Sequence, residues 1–426
     1  MGVMLPMTDA RAAIEAVFQQ EHGRVLAGLI AHFTGDFDLA EDALQDACVQ
    51  ALSAWRKDGV PSNPAAWLTT TAKRRAIDRL RKGGAHASTT VILDEALPAP
   101  EYDEPDAFDM MDDDADQAIP DERLKLIFTC CHPALTLEAQ VALTLRTLGG
   151  LSTDAIARAF LVPVPTMAQR LARARNKIRD ARIPYTVPPA SQWVERLTGV
   201  LTVIYLIFNE GYSGRGDDAP AHDALCDEAI RLCRALVALL PNDVDSAEAR
   251  GLLALLLLND SRRTARVAAG RLVLLEHQDR SRWNQAQIDE GTTLLHEALS
   301  REAVGMYQLQ AAISALHAEA SKAANTDWAQ IAALYGALAA MTGSPVVQVN
   351  RAVAVAMAHG AAAGLGLLLE LDDAMADYFP YHAARADLLR RAGEREAAAD
   401  AYARAVTLCQ TALERAYLLS RLRELE

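Results

Sequence analysis

The sequence predicts an all-α protein: two small helical domains, an acidic linker between them, and a large helical C-terminal part. Three observations carry that expectation. Alanine and leucine dominate and β-branched runs stay short, which favours helix over strand. Apolar residues recur every three or four positions through most of the chain, which is the helical period. Thirteen acidic residues, with no lysine or arginine among them, fall between Asp94 and Glu122, and so one-signed and polar a stretch reads as linker. A chain of 426 residues has room for about two to four domains.

The net charge of −14 argues against a uniformly basic nucleic-acid binder, but the charge is unevenly placed. With the acidic stretch set aside, the first 183 residues hold 20 basic against 13 acidic residues, while residues 184–426 hold 22 against 30. Basic patches, not totals, mark a nucleic-acid footprint. The longest apolar run, around Leu252–Leu258, is far short of the roughly 20 residues that span a bilayer. No basic-then-apolar leader opens the chain. A cytoplasmic location and no membrane partner are therefore expected.

Residues 1–83 read as the first domain. A helix over residues 9–32 carries Ile14, Val17, Phe18, Val25, Leu26, Leu29 and Ile30 on one face, with Thr8 or Asp9 as its cap. A second helix, residues 38–56, buries Leu39, Ala43, Leu44, Ala47, Ala51 and Leu52. Its other face carries Glu41, Asp42, Gln45, Asp46 and Gln50, either a solvated face or a docking surface for a basic partner. Pro64 after Asn63 opens a third helix, Pro64–Lys82, at the position proline tolerates best. Trp67, Leu68, Ala72, Ile77 and Leu80 can face inward, and Trp67 could equally meet a base. Six basic residues against one acid between Lys73 and Lys82 suit phosphate contacts.

Residues 84–120 form the expected acidic linker, and Asp121 opens the second domain, 121–183. Leu137–Leu148, capped by Thr136, packs above a helix pair. The first helix of that pair carries Leu151, Ile156, Ala157 and Phe160 and is capped by Ser152. Val162-Pro163-Val164-Pro165 cannot continue it, and Thr166 is the expected cap of a second helix from Met167 to Ala181. Two short helices about a tight break make a helix-turn-helix, whose second helix enters the DNA major groove. Here that helix carries Arg170, Arg173, Arg175, Lys177 and Arg179 against Asp180. Cys130-Cys131-His132 has no second ligand pair at finger spacing, so structural cysteines are expected and no metal.

Residues 184–426 are expected to be a helical extension without basic bias. Phe208–Asp218 reads as a glycine-rich loop lacking the spacing of a phosphate loop. Asp223–Leu240 and Ser246–Leu258 are further helices, and Gly270–Trp283 reads as strand or extended loop. Glu276, Asp279, Arg280 and Arg282 suggest internal ion pairing, because no nucleophile or poised base completes a site; neither an enzyme nor a cofactor is expected. Helix pairs follow from Ile288 and become tetratricopeptide-like over 327–424, with Leu388, Gly393, Ala398, Tyr402 and Ala405 at the packing positions.

Two motifs carry a resemblance. PAAWLTTTAKRRAIDRLRK, preceded by AEDALQDACVQALSAW, is similar to the promoter-melting and polymerase-docking helices of extracytoplasmic-function sigma factors of the sigma-70 family. LTLEAQVALTLRTLGGLSTDAIARAFLVPVPTMAQRLARARNKIR is similar to that family's second promoter domain, with Pro165-Thr166 in place of Gly-Thr and Ala168-Gln169-Arg170 in place of Lys-Ser-Arg. FTCCHPAL, FNEGYS and LLEHQDRSRW resemble a subgroup with a tetratricopeptide-like extension.

The resemblance implies an RNA polymerase sigma factor with core RNA polymerase and promoter DNA as partners. It implies that Asp42, Leu44, Gln45 and Asp46 dock on a basic coiled coil of the polymerase. Lys73, Arg74, Arg75, Arg79 and Arg81 would then hold the opened downstream element, and Thr166, Gln169, Arg170 and Arg173 would face the upstream major groove. Lys177, with Arg175 and Arg179, would grip the backbone. For the extension it implies a regulatory role and a small YCII-like (DGPF-motif) partner. The competing reading, a helix-turn-helix regulator with a tetratricopeptide sensor and no sigma role, leaves helix 38–56 unexplained.

Overall fold

The computed structural model describes residues 22–33, 35–82, 115–160, 162–213, 219–240, 246–268, 271–409 and 412–425. The chain divides into two units, Met1–Leu206 and Ile207–Glu426. The start of the expected first helix, with Thr8 and Asp9, and most of the acidic linker lie outside the described residues.

In the first unit, α1 (22–32) precedes α2 (Phe37–Asp58) and α3 (Pro64–Lys82). Asp36 caps α2 by accepting from the Leu39 N–H at 3.0 Å, and Gly59, at φ +87°, ends it. The α2 stripe Phe37, Ala40, Ala43, Leu44, Ala47, Ala51 and Trp55 is buried. On α3 the buried positions are Leu68 and the three alanines Ala65, Ala72 and Ala76, whose small side chains let the two helices approach closely. Trp67 is half-buried and meets Trp55 edge-on, ring centres 5.6 Å apart, so it packs with the core.

The helix expected from Asp121, α4 (Ala115–Cys130), begins six residues earlier. Alanine and glutamine in the added turn have high intrinsic helix propensity. Then come α5 (Leu137–Thr147), α6 (Thr153–Ala159) and α7 (Val164–Asp180). The Thr136 and Ser152 caps form, accepting from Ala139 N–H at 3.4 Å and Ala155 N–H at 3.1 Å. Thr166 is not a cap. α7 starts two residues earlier at Val164, because a proline in the first turn gives up an N–H that has no helical partner in any case.

Cys130 and Cys131 are buried against threonine hydroxyls, Cys130 Sγ 3.1 Å from Thr147 Oγ1 and Cys131 Sγ 3.6 Å from Thr144 Oγ1. Burial raises both thiols, Cys131 to about 12, so they pack as small apolar groups. The buried Gln140 amide donates to the carbonyls of His132 and Leu135, which fixes the FTCCHPAL turn.

α8 (Trp193–Ser213) runs across the boundary between the units. It continues through FNEGYS, where a loop was expected. A Cβ on Gly211 would lie 2.5 Å from the His222 carbonyl oxygen and 2.9 Å from Cys226 N, so this glycine serves close helix packing rather than a turn. α9 (Ala219–Leu239), α11 (Gln285–Leu299) and α12 (Met306–Glu319) surround α10 (Ala247–Asp260), whose residues are buried nearly all round.

Among the described residues of 270–283, Arg271–Leu272 alone is strand; it pairs antiparallel with Val267–Ala268 before two 3-10 turns. The chain ends in packed helices: α13 (Trp328–Thr342), α14 (Pro345–His359), α15 (Ala361–Leu369), α16 (Phe379–Ala392), α17 (Arg395–Leu408) and α18 (Ala412–Arg423). Gly393, at φ +85°, turns α16 into α17, and Ala386, Ala398, Tyr402 and Ala405 fill the space between them.

Candidate nucleic-acid interface

On α7 the apolar stripe Met167, Leu171, Ala174 and Ile178 is buried, and this sets the orientation of the rest of the helix. Thr166, Gln169, Arg173 and Lys177 are exposed on the opposite side, spaced three and four apart. Arg170 is half-buried and close enough to Glu138 to help hold that carboxyl low, behind the stronger backbone and Thr136 hydrogen bonds. Arg179 donates to Asn176 Oδ1 at 2.6 Å.

Arg175 turns the other way. Its guanidinium contacts both Glu41 carboxylate oxygens at 3.0 and 2.9 Å and Asp38 Oδ1 at 2.9 Å, all on α2. Arg146 of α5 reaches Glu41 from a second side at 3.4 Å while donating to the Leu151 carbonyl at 3.2 Å. The Glu41 side chain is 12% exposed and that of Arg175 18%. Burial raises the Glu41 pKa even against the two arginines, so removal from water outweighs the pairing.

On α3, Lys73 is half-buried, and Arg74, Arg75, Arg79 and Arg81 are exposed. Two of them lean on α2. Arg75 donates to Gln50 Oε1 at 3.2 and 2.9 Å, and Arg79 bridges Asp42 and Asp46, its Nη2 lying 2.8 Å from Asp46 Oδ2. Residues that sequence reasoning gave to two different ligands thus hold each other. Asp42 and Gln45 are exposed and Asp46 is half-exposed, but Leu44 is 2% exposed and belongs to the core. Arg146 and Glu41 form a junction that local periodicity cannot reveal, since Glu41 and Arg175 are 134 residues apart.

An acidic-faced helix beside a cationic helix, and a helix-turn-helix with an exposed polar row, together have the make-up of a DNA-binding module. Residues 18–86 match sigma-70 region 2, residues 125–178 match sigma-70 region 4, and residues 196–299 match a family of unknown function (DUF6596). An uncharacterized protein of Rhizobium meliloti is 42% identical over 413 residues, 97% of this chain and 95% of the relative. A probable ECF RNA polymerase sigma factor of Mycobacterium tuberculosis, SigI, is 28% identical over 173 residues, 41% of this chain and 57% of the relative. The chain belongs to the extracytoplasmic-function branch of the sigma-70 family, the RNA polymerase sigma factors, and carries a large helical C-terminal extension.

Proposed function

We propose a division of labour among the helices of this sigma factor, with domains at 1–83, 84–120, 121–183 and 184–426. The α2 face with Asp42, Gln45 and Asp46 docks on a basic surface of core polymerase, and Leu44 supports it from the core. Opposite charges steer such an encounter as well as hold it. Lys73, Arg74, Arg75, Arg79 and Arg81 hold phosphates of the opened downstream element. Thr166, Gln169, Arg170 and Arg173 read the upstream element, where a bidentate arginine–guanine contact is worth roughly 1–3 kcal/mol of discrimination; Lys177 grips backbone. The protein acts where the polymerase is, in the cytoplasm, and has no catalytic role of its own. The extension is regulatory and offers a surface to a small YCII-like protein.

The single observation that supports this reading is the exposed row Thr166, Gln169, Arg173 and Lys177, aimed outward by the buried stripe behind it. In vitro transcription with core polymerase tests it. The full chain should start RNA synthesis from a cognate promoter, and Asp46→Lys should abolish polymerase capture with the fold intact. A helix-turn-helix regulator without a sigma role would bind DNA but start nothing. Truncation after Arg182 assigns the extension: rising activity means inhibition, falling activity a required contact.

A further inference from the structure

We propose that residues 271–277 sit as a tethered ligand on the last helical repeats of the extension, and that the partner taken there is an extended peptide of the same make-up, a short apolar run closed by a carboxylate. This rests on the regulatory role given above to the extension. All the elements concerned lie in the second unit.

The segment belongs to an excursion between two helices. The chain leaves α10 at Asp260 and does not enter α11 until Gln285. Connections of this length inside a domain are uncommon and usually carry function. The two ends of the excursion are fastened. The Asn284 N–H donates to the Ser261 carbonyl at 2.8 Å, the Thr264 hydroxyl donates to the Arg282 carbonyl at 2.9 Å, and Ala265 and Trp283 are buried. Between these fastenings the hold is light. Leu272, Val273, Leu274 and Leu275 follow one another, all half-buried, and no residue from 271 to 282 is buried. The short strand pairing and the Val273 N–H, which donates to the Arg266 carbonyl at 2.8 Å, keep the first part extended.

What the segment covers is the end of the repeat stack. α14 and α16 touch each other while both pack on α15, so alternate helices share one side of the stack. Stacked helix pairs use such a side to bind partners. The excursion lies along it. Glu276 accepts from the Arg391 guanidinium of α16 at 3.1 and 3.3 Å, and the strand Arg271–Leu272 lies against α18. Asp387, one turn back on α16, accepts from Arg391 Nε at 2.7 Å and fixes the fork that receives Glu276. The Arg391 and Glu276 side chains are 32% and 31% exposed, so water and salt compete with the pair and it can be exchanged.

Because both ends stay fastened, residues 271–277 can leave the repeats by local opening without loosening α10 or α11. An incoming peptide then lays its apolar run where Leu272 to Leu275 lay and gives its carboxylate to Arg391. The tethered copy sets a threshold: apparent affinity falls by the fraction of molecules in which it has left.

The test uses the full chain and a fluorescein-labelled peptide of residues 271–278 (RLVLLEHQ), read by anisotropy. In Glu276→Arg the tethered copy meets Arg391 with like charge, and the peptide should bind about three- to tenfold tighter than to wild type. Adding Arg391→Glu should remove that gain, and a gain that persists overturns the assigned site. A Glu276→Arg chain that melts cooperatively and binds the peptide no better than wild type overturns the proposal. Should the variant not fold, hydrogen exchange of the wild-type chain decides. The Val273 and His277 amides should exchange through a local opening, well ahead of the amides of α10. Exchange in step with α10 would make the segment part of the core and overturn the proposal. Neither measurement contains polymerase or DNA, so failure here and failure of the transcription assay are distinguishable.

Discussion

Arg175 in the first unit and Arg280 in the second each tie one element to another, and they end on opposite kinds of partner. Arg175 ends on carboxylates, Glu41 and Asp38. Arg280 lies 4.4 Å over the Trp283 ring and donates to the backbone carbonyl of His317. The groups it touches are neutral, although the Arg262 guanidinium lies nearby: His317 is held uncharged, its pKa pushed down to about 4 by burial and by Arg262 and Arg280, and it meets Trp328 edge-on. A joint made of opposite charges can be exchanged for another polyion. A joint made of a carbonyl, an indole and a neutral imidazole has nothing to exchange. The two joints should therefore respond differently to salt and to acid.

Acid separates the two joints most strongly. His317 is neutral in the folded protein and has its ordinary pKa of about 6.5 when unfolded. Its contribution is fully present above pH 6.5 and is lost as the pH falls from 6.5 toward 4, by up to about 3 kcal/mol. Glu41 behaves in the reverse sense. Its raised pKa means that its burial is least costly below the ordinary carboxylate range, and its contribution declines as pH rises through the raised value. Thermal melts of the full chain from pH 6.5 to 4 should lose stability, and His317→Gln should flatten that slope. An unchanged slope would show that His317 titrates freely, and the contrast between the joints would fail.

Arg175→Ala comes next in size. Removing one member of a buried pair costs about 3–5 kcal/mol when the other is stranded. Here Glu41 keeps Arg146, and Asp38, at 58% exposure, rehydrates, so about 2 kcal/mol is expected from chemical denaturation of the first unit. A loss below about 0.5 kcal/mol would class the junction with ordinary surface pairs and remove the distinction drawn from its burial.

Much of this was legible in the sequence, and the failures share a cause. Ala43, Leu44, Ala47 and Ala51 of the α2 stripe, the caps at Thr136 and Ser152 and the Gly393 turn follow from periodicity and local chemistry, while Leu39 is only half-buried. The helical FNEGYS was missed because Gly211 signals a turn unless the backbone of α9 that it packs against is known. Thr166 was misread as a cap because the helix-starting role of Pro165 competes with its helix-breaking role. Leu44 is buried, as its place in the stripe requires, whereas Leu52, read into the same stripe, is 42% exposed, about 100° round the helix from the buried Ala51. The Arg175–Glu41 contact could not be read from the sequence because the two residues lie on elements 134 positions apart.

The smallest effect falls on Arg79, and it sharpens the comparison within α2 itself. Arg79 and Asp42 are 41% and 59% exposed, and water and salt screen such a pair. Arg79→Ala should therefore change stability by less than about 1 kcal/mol, against the larger loss for Arg175→Ala, whose carboxylate partners lie on the same α2 helix. Raising salt should erase the Arg79 effect and leave most of the Arg175 effect, since buried pairs are screened less. If the two variants lose the same amount and fade together with salt, burial does not set the strength of the α2 clasps.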